Sequence, residues 1–143
     1  MMLAVVRVRG SVNLRKELKD TLKMLRLNRI NHCVLIRKDP AIEGMIKKVR
    51  DFVTWGEIND KTLEKLISER GRMTGDKKVD TKQTKTILAK IKKSKNLKEV
   101  EELKPVFRMN PPKKGYRHVK VPYPRGALGY RGEKINDLLQ RMM

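Results

Sequence analysis

Cysteine is almost missing from this 143-residue chain. Cys33 stands alone, so no internal disulfide can form, and nothing calls for an oxidising compartment. An intracellular site is expected. Histidine is nearly as scarce: His32 and His118 lie far apart, with no Cys or carboxylate cluster at ligand spacing, which argues against a zinc site or a catalytic dyad. Cys33 itself lies in an apolar stretch and reads as a small core residue rather than a nucleophile. Long apolar runs are also wanting. Leu3-Ala4-Val5-Val6 meets Arg7 and Arg9 at once, too short a run for a signal segment or a spanning helix, so no membrane insertion is expected. The scarcity that matters most is of negative charge, with 16 Asp plus Glu against 36 Lys plus Arg and a formal net charge of +20.

A chain this cationic repels itself and needs an anionic partner. Nucleic acid fits best, because each phosphate neutralised releases condensed counterions and adds sequence-independent affinity. The length suits one domain, or a small domain with an extension.

Hydrophobic patterning gives the elements. Residues 3 to 8 are β-rich and end at Gly10, which predicts a first strand. With Asn13 as N-cap, Leu14, Leu18, Leu22 and Leu25 recur at helical spacing. A second strand is expected over residues 32 to 37, and Asp39-Pro40 then opens a helix bearing Ile42, Met45, Ile46 and Val49 on one face. Gly44 inside that helix suggests a close approach by a strand or by an RNA backbone. A third strand, Phe52 to Trp55, closes at Gly56. Residues 1–58 thus predict a compact α/β domain, with two helices on one face of a small sheet and the other face free.

Residues 59–143 read as a helical and basic extension packing on that core and on RNA. One helix carries Leu63, Leu66 and Ile67; another is capped by Asp80 with Gln83 three positions on; a short helical stretch bears Leu97, Val100 and Leu103. The last helix places Ile135, Leu138, Leu139 and Met142 on one stripe. Between them, Leu103 to Gly132 contains no acid but eight Lys and Arg, five of the six prolines and all three tyrosines. Such a segment should be extended and loop-like, with a strand around Val119 and Val121. Its cations can neutralise phosphates while its aromatic rings stack on unpaired bases. The glycines of Gly126 to Gly132 lack the spacing of a nucleotide-binding loop, and Gly129 is a candidate for positive φ.

The stretch Asn31 to Arg50, continuing from Phe52 to Ile58, resembles the large-subunit ribosomal protein family numbered thirty in bacteria and archaea and seven in eukaryotes. Pro124 to Leu139 is similar to the extension of its archaeal and eukaryotic members, and the missing basic arm at the N-terminus favours the archaeal form. The resemblance implies a ferredoxin-like β-α-β-α-β core of the α/β (α+β) class and binding to large-subunit rRNA, with 5S rRNA and other ribosomal proteins as neighbours. It also implies a monomer within the cytoplasmic subunit, with no catalysis, cofactor or small-molecule substrate.

Basic chemistry, rather than the resemblance, selects the candidate RNA-binding residues. They are Arg7, Arg9, Arg26 and Arg29 from the first half, and Arg108, Lys113, Lys114, Tyr116, Arg117, Lys120, Tyr123, Arg125, Tyr130 and Arg131 from the second. Arginine's planar fork holds phosphate bidentately, which ranks Arg117, Arg125 and Arg131 above Lys113 and Lys114. Two other classes compete. An architectural DNA-binding protein would bind duplex DNA as tightly as structured rRNA; an RNA-modifying enzyme would need a nucleophile or cofactor pocket that the sequence does not offer.

Overall fold

The fold grows from strand β1 (Met2–Arg7), whose side chains alternate between two apolar layers. Leu3 and Val5 point into one buried cluster, Ala4 and Val6 into the other, and all four are at most 2% exposed. A strand buried on both faces belongs at the centre of a sheet. Here β2 (His32–Arg37) and β3 (Val53–Glu57) flank it antiparallel, with Val5 opposite both Val34 and Trp55. Since both neighbours oppose β1, they run parallel to each other, and helix α2 (Pro40–Lys48) joins them across the intervening strand. This split β-α-β unit, with α1 (Lys16–Met24) beside α2, is the expected ferredoxin-like core. The computed structural model describes residues 2–10, 12–73, 77–93, 106–116 and 118–143. The helical stretch expected around Leu97 and Val100 lies outside them.

Local chemistry explains most element ends. Asp39 Oδ1 accepts the Ala41 N–H at 3.0 Å, with Pro40 as the first helical residue. Asn13 is not the cap of α1, which starts after Arg15 without a side-chain cap; Asn13 instead occupies a left-handed turn at φ 57°. Asn59 caps α3 (Asp60–Arg70) through the Thr62 N–H at 2.8 Å. At the start of α4 (Thr81–Lys93), the Asp80 N–H donates to Gln83 Oε1 at 3.1 Å, one arm of a capping box. Arg37 secures the other end of α4 by donating from Nη2 to the carbonyls of Ile91 and Lys92, at 3.3 and 2.8 Å.

The second face of the sheet, expected to be free, is covered. Helices α3, α4 and α5 (Ile135–Met142) lay Leu66, Ile67, Ile87, Ile91, Leu138 and Leu139 over Ala4, Val6, Cys33 and Leu35. Burial of some ten large aliphatic side chains drives this docking, at roughly 1.5–3 kcal/mol each before entropy is charged. The segment expected to be loop-like also supplies strands. Strand β4 (Val106–Arg108) pairs outside β2, β6 (Gly126–Tyr130) runs parallel outside β3, and β5 (His118–Pro122) meets β6 irregularly, giving the order β4-β2-β1-β3-β6-β5. Burial pushes the Cys33 thiol up to about 12, as suits a core residue.

Strand β3 continues through Gly56 because the 3₁₀ turn Gly132–Lys134 crosses it there. A Cβ on Gly56 would lie 2.0 Å from the Gly132 carbonyl oxygen, so no larger residue fits without moving backbone. Gly44 is the opposite case: a Cβ there meets nothing within 4 Å, so no strand approaches it. In urea unfolding, Gly56→Ala is expected to destabilise the chain by about 2–3 kcal/mol. Gly44→Ala should stabilise it by about 0.5–1 kcal/mol, since it removes only helix-breaking entropy. Equal effects at the two positions would contradict this packing.

Candidate nucleic-acid interface

Strand directions gather the basic loops at one end of the sheet. Strands β1 and β4 finish there, and β2, β3 and β6 begin there, so the loops after β1, before β2, before β3, after β4 and before β6 lie side by side. From β4 to β6 this edge spans about 19 Å at the usual strand spacing. The described residues of these loops carry Arg9, Arg15, Arg26, Arg29, Arg50, Lys113, Lys114 and Arg125, and Asp51 is the one acid among them. Arg108, the last residue of β4, adds a further exposed cation. The opposite end is mixed, with Lys38, Asp39, Glu57, Glu133 and Lys134.

The cluster at β2 and β4 shows how the charges are concentrated. His32 pairs with Arg108 across the two strands. Its pKa is held below the ordinary value by burial, and then by the positive charges of Arg108, Arg29 and Arg7. Among the described residues its buried Nδ1 has no hydrogen-bond partner. An anion here would relieve the repulsion and could accept from this imidazole. The sequence singled out all three arginines but weighed His32 only as a metal or catalytic ligand; the cross-strand neighbour that changes its meaning is 76 residues away in β4.

Other expected residues divide clearly. Arg29, Lys113, Lys114 and Arg125 are exposed at the basic end, and Arg26 is half-buried there. Arg9 packs its guanidinium 5.2 Å from the Phe52 ring centroid, which holds it in place beside the other loops. Lys120 is exposed on β5, the outermost strand. Arg117 lies outside the described residues.

Arg7 and Arg131 depart from expectation. Arg7 is 2% exposed and donates from Nε to the Arg9 carbonyl and from Nη1 to the Leu27 carbonyl, at 3.0 and 2.7 Å. Arg131 is equally inward, bonding Thr54 Oγ1 at 2.9 Å and the Ala127 carbonyl at 2.8 Å. Neither is presented on the open surface, and burial lowers the pKa of both. They organise the loops from which other cations project. The tyrosines also separate. Tyr116 is largely enclosed, donates to Asn31 Oδ1 at 2.7 Å and has its pKa pushed up to about 12 by burial. Tyr123 is 36% exposed. Tyr130 lies toward the other end, beside Trp55 and bonded to Glu57, which raises its pKa.

Among the described residues no group of three His, Cys, Asp or Glu could hold a metal, and no helix is long and apolar enough to cross a membrane.

Comparison with known proteins gives the same direction. Residues 3–53 match the family model described as ribosomal protein L30p/L7e. The chain is 46% identical to the large ribosomal subunit protein uL30 of Archaeoglobus fulgidus, with 99% of each chain covered. It is 47% identical to that of Methanocorpusculum labreanum, again over 99% of each, and 48% identical to that of Methanococcus vannielii over the full length of both. Likeness at this level extends through the helices and strands that follow the matched core, so the chain belongs to the L30p/L7e family of ribosomal proteins, in its archaeal long form.

Proposed function

We propose that this protein is a structural constituent of the large ribosomal subunit that holds rRNA against the basic end of its sheet, stabilising the folded RNA during assembly and translation. The relatives are named as large ribosomal subunit proteins, and the family is a structural one rather than an enzymatic one. The observation that carries the reading is the convergence of five loops with eight cations and one acid on a single edge. In this reading the partners are large-subunit rRNA and adjoining ribosomal proteins, with 5S rRNA as a neighbour. The protein works as a monomer within the cytoplasmic subunit and needs no cofactor.

The mechanism is electrostatic positioning on a rigid frame. Exposed arginines hold phosphates with paired N–H groups, lysines add diffuse attraction, and the sheet fixes the spacing between them. RNA is then read by shape and backbone more than by base sequence. Salt-titrated sedimentation of a cell extract tests the assignment: the protein should travel with the large subunit and stay on it through moderate salt. Remaining at the top of the gradient, or following DNA, would sink it.

Individual roles follow from exposure. Replacing Arg29, Arg108 and Arg125 by Gln should flatten the plot of log affinity for rRNA against log salt by about one unit per residue. Replacing buried Arg7 by Gln should lower stability and leave that slope unchanged. Similar slopes for the two sets would reverse the assignment.

His32 supplies a pH test with a defined sign. In the free protein its pKa lies below 6.5, so as pH falls past that value the unfolded chain takes up the proton first and stability declines. A phosphate beside Arg29 and Arg108 offsets the neighbouring positive charges and raises the His32 pKa, so affinity for rRNA should increase as pH drops below about 6.5. NMR titration of the imidazole, with and without an rRNA fragment, should show this upward shift. A fixed or lowered pKa would remove the β2–β4 cluster from the interface.

A further inference from the structure

Beside the basic edge a cleft of about 380 Å³ opens between α5 and a wall that includes Tyr116, Tyr123 and Ala127. One wall is formed by Lys134 of the 3₁₀ turn with Asp137 and Arg141 of α5; the other is formed by Tyr116 and Tyr123, with Arg131 also in the lining. Three cations therefore share one cavity with a single carboxylate. Among the described residues no carboxylate oxygen lies within 4 Å of Arg131 or Arg141. Arg131 is only 9% exposed, and its partners among the described residues are neutral: a hydroxyl, a carbonyl and the Tyr123 ring, whose centroid is 5.3 Å from the guanidinium carbon. A buried cation without a counter-ion is costly, and an anion entering the cleft would supply one.

The rest of the lining narrows the kind of anion. Arg141 donates to the carbonyls of Lys113 and Gly115 through long contacts of 3.4 Å, which an incoming phosphate oxygen could replace. Tyr123 keeps 36% of its surface exposed although Arg131 occupies one side of its ring. A cation with an exposed aromatic surface beside it fits a group that is both anionic and flat. The volume also suits a mononucleotide better than a bare phosphate. Access is direct, because Tyr116 and Arg141 border the Lys113–Gly115 turn of the basic edge.

We propose that this cleft receives one looped-out nucleotide of the bound RNA, its phosphate on Arg141 with Arg131 behind, and its base against Tyr123. The assignment rests on the RNA-binding reading and adds to it a site for unpaired nucleotides. Only an unstacked base can enter, so a single strand should use the cleft and a continuous duplex should not.

The test uses the full chain, a single-stranded RNA hexamer containing 4-thiouridine, the same hexamer in a duplex, and large-subunit rRNA. Photocrosslinking of the unaltered protein to the single strand should mark the tryptic peptide of residues 121–125, which contains Tyr123, and the duplex should not mark it. Tyr123→Leu should weaken hexamer binding about tenfold, while Tyr123→Phe should not. Uridine monophosphate should displace the hexamer at lower concentration than inorganic phosphate. If rRNA binds with its normal salt dependence but crosslinks avoid residues 116 and 121–125, the cleft assignment falls and the RNA reading stands. Equal displacement by the two competitors would reduce the cleft to an anion site and overturn the nucleotide. Failure to bind rRNA at all would remove both. The crosslink is read on the unaltered chain and so does not depend on any variant folding.

Discussion

Strand β1 has apolar side chains on both faces, and a sheet built around it needs cover on both sides. Leu3 and Val5 are satisfied by α1 and α2, but Ala4 and Val6 would face water if the chain stopped after β3. Exposing that second layer would forfeit burial that also includes Cys33 and Leu35. The later helices therefore complete the first half of the chain. Their attachment is specific as well as greasy: Arg37 at the end of β2 binds the last carbonyls of α4, and Asn136 of α5 accepts the Asn59 N–H at 2.9 Å.

The same constraint places the charge. Once β1 is central and its neighbours oppose it, the loops after β1 and before β2 and β3 must share one end. The strands added outside them bring two more loops to that end. Repulsion among so many cations opposes the compact state, and Arg7 and Arg131, although turned inward onto carbonyl and hydroxyl oxygens, still add to it. Those bonds do not neutralise the arginines. They fix the loops and leave a positive field that an external polyanion would relieve, so the proposed binding role would offset an electrostatic cost of the fold.

Sequence patterning was a good guide wherever a local rule decides the structure. The Asp39-Pro40 start, the Gln83 arm of the pair with Asp80 and the stripe on α5 are each specified within a few residues, and each forms. It was a poor guide where distant partners decide. Strand β4 is three residues long, and β6 includes two glycines, so neither has a propensity that announces a strand; pairing with β2 and β3 creates them. Asn13 has the chemistry of a cap but sits in the preceding turn, a choice made by how the chain leaves β1. Candidate site residues follow the same division. Their charge is visible in the sequence, but whether an arginine points outward depends on a neighbour such as Leu27 or Thr54 that no local window contains.

That distinction changes what a basic composition means. Counting positive charges would weigh Arg7, Arg125 and Arg131 alike, yet only Arg125 is exposed enough to exchange water for phosphate on the open edge. A buried arginine bonded to carbonyls has already given up its hydration, so its value lies in holding a loop or in attracting an anion into an enclosed space. Arg7 serves the first purpose, tying the end of β1 to the loop that carries Arg26 and Arg29. Arg131 combines both, because its bonds to Thr54 and Ala127 anchor β6 while its charge remains inside a cleft. In the proposed interface the outer cations would set how strongly the protein feels RNA and how steeply salt weakens that attraction, and the inner ones where the RNA settles.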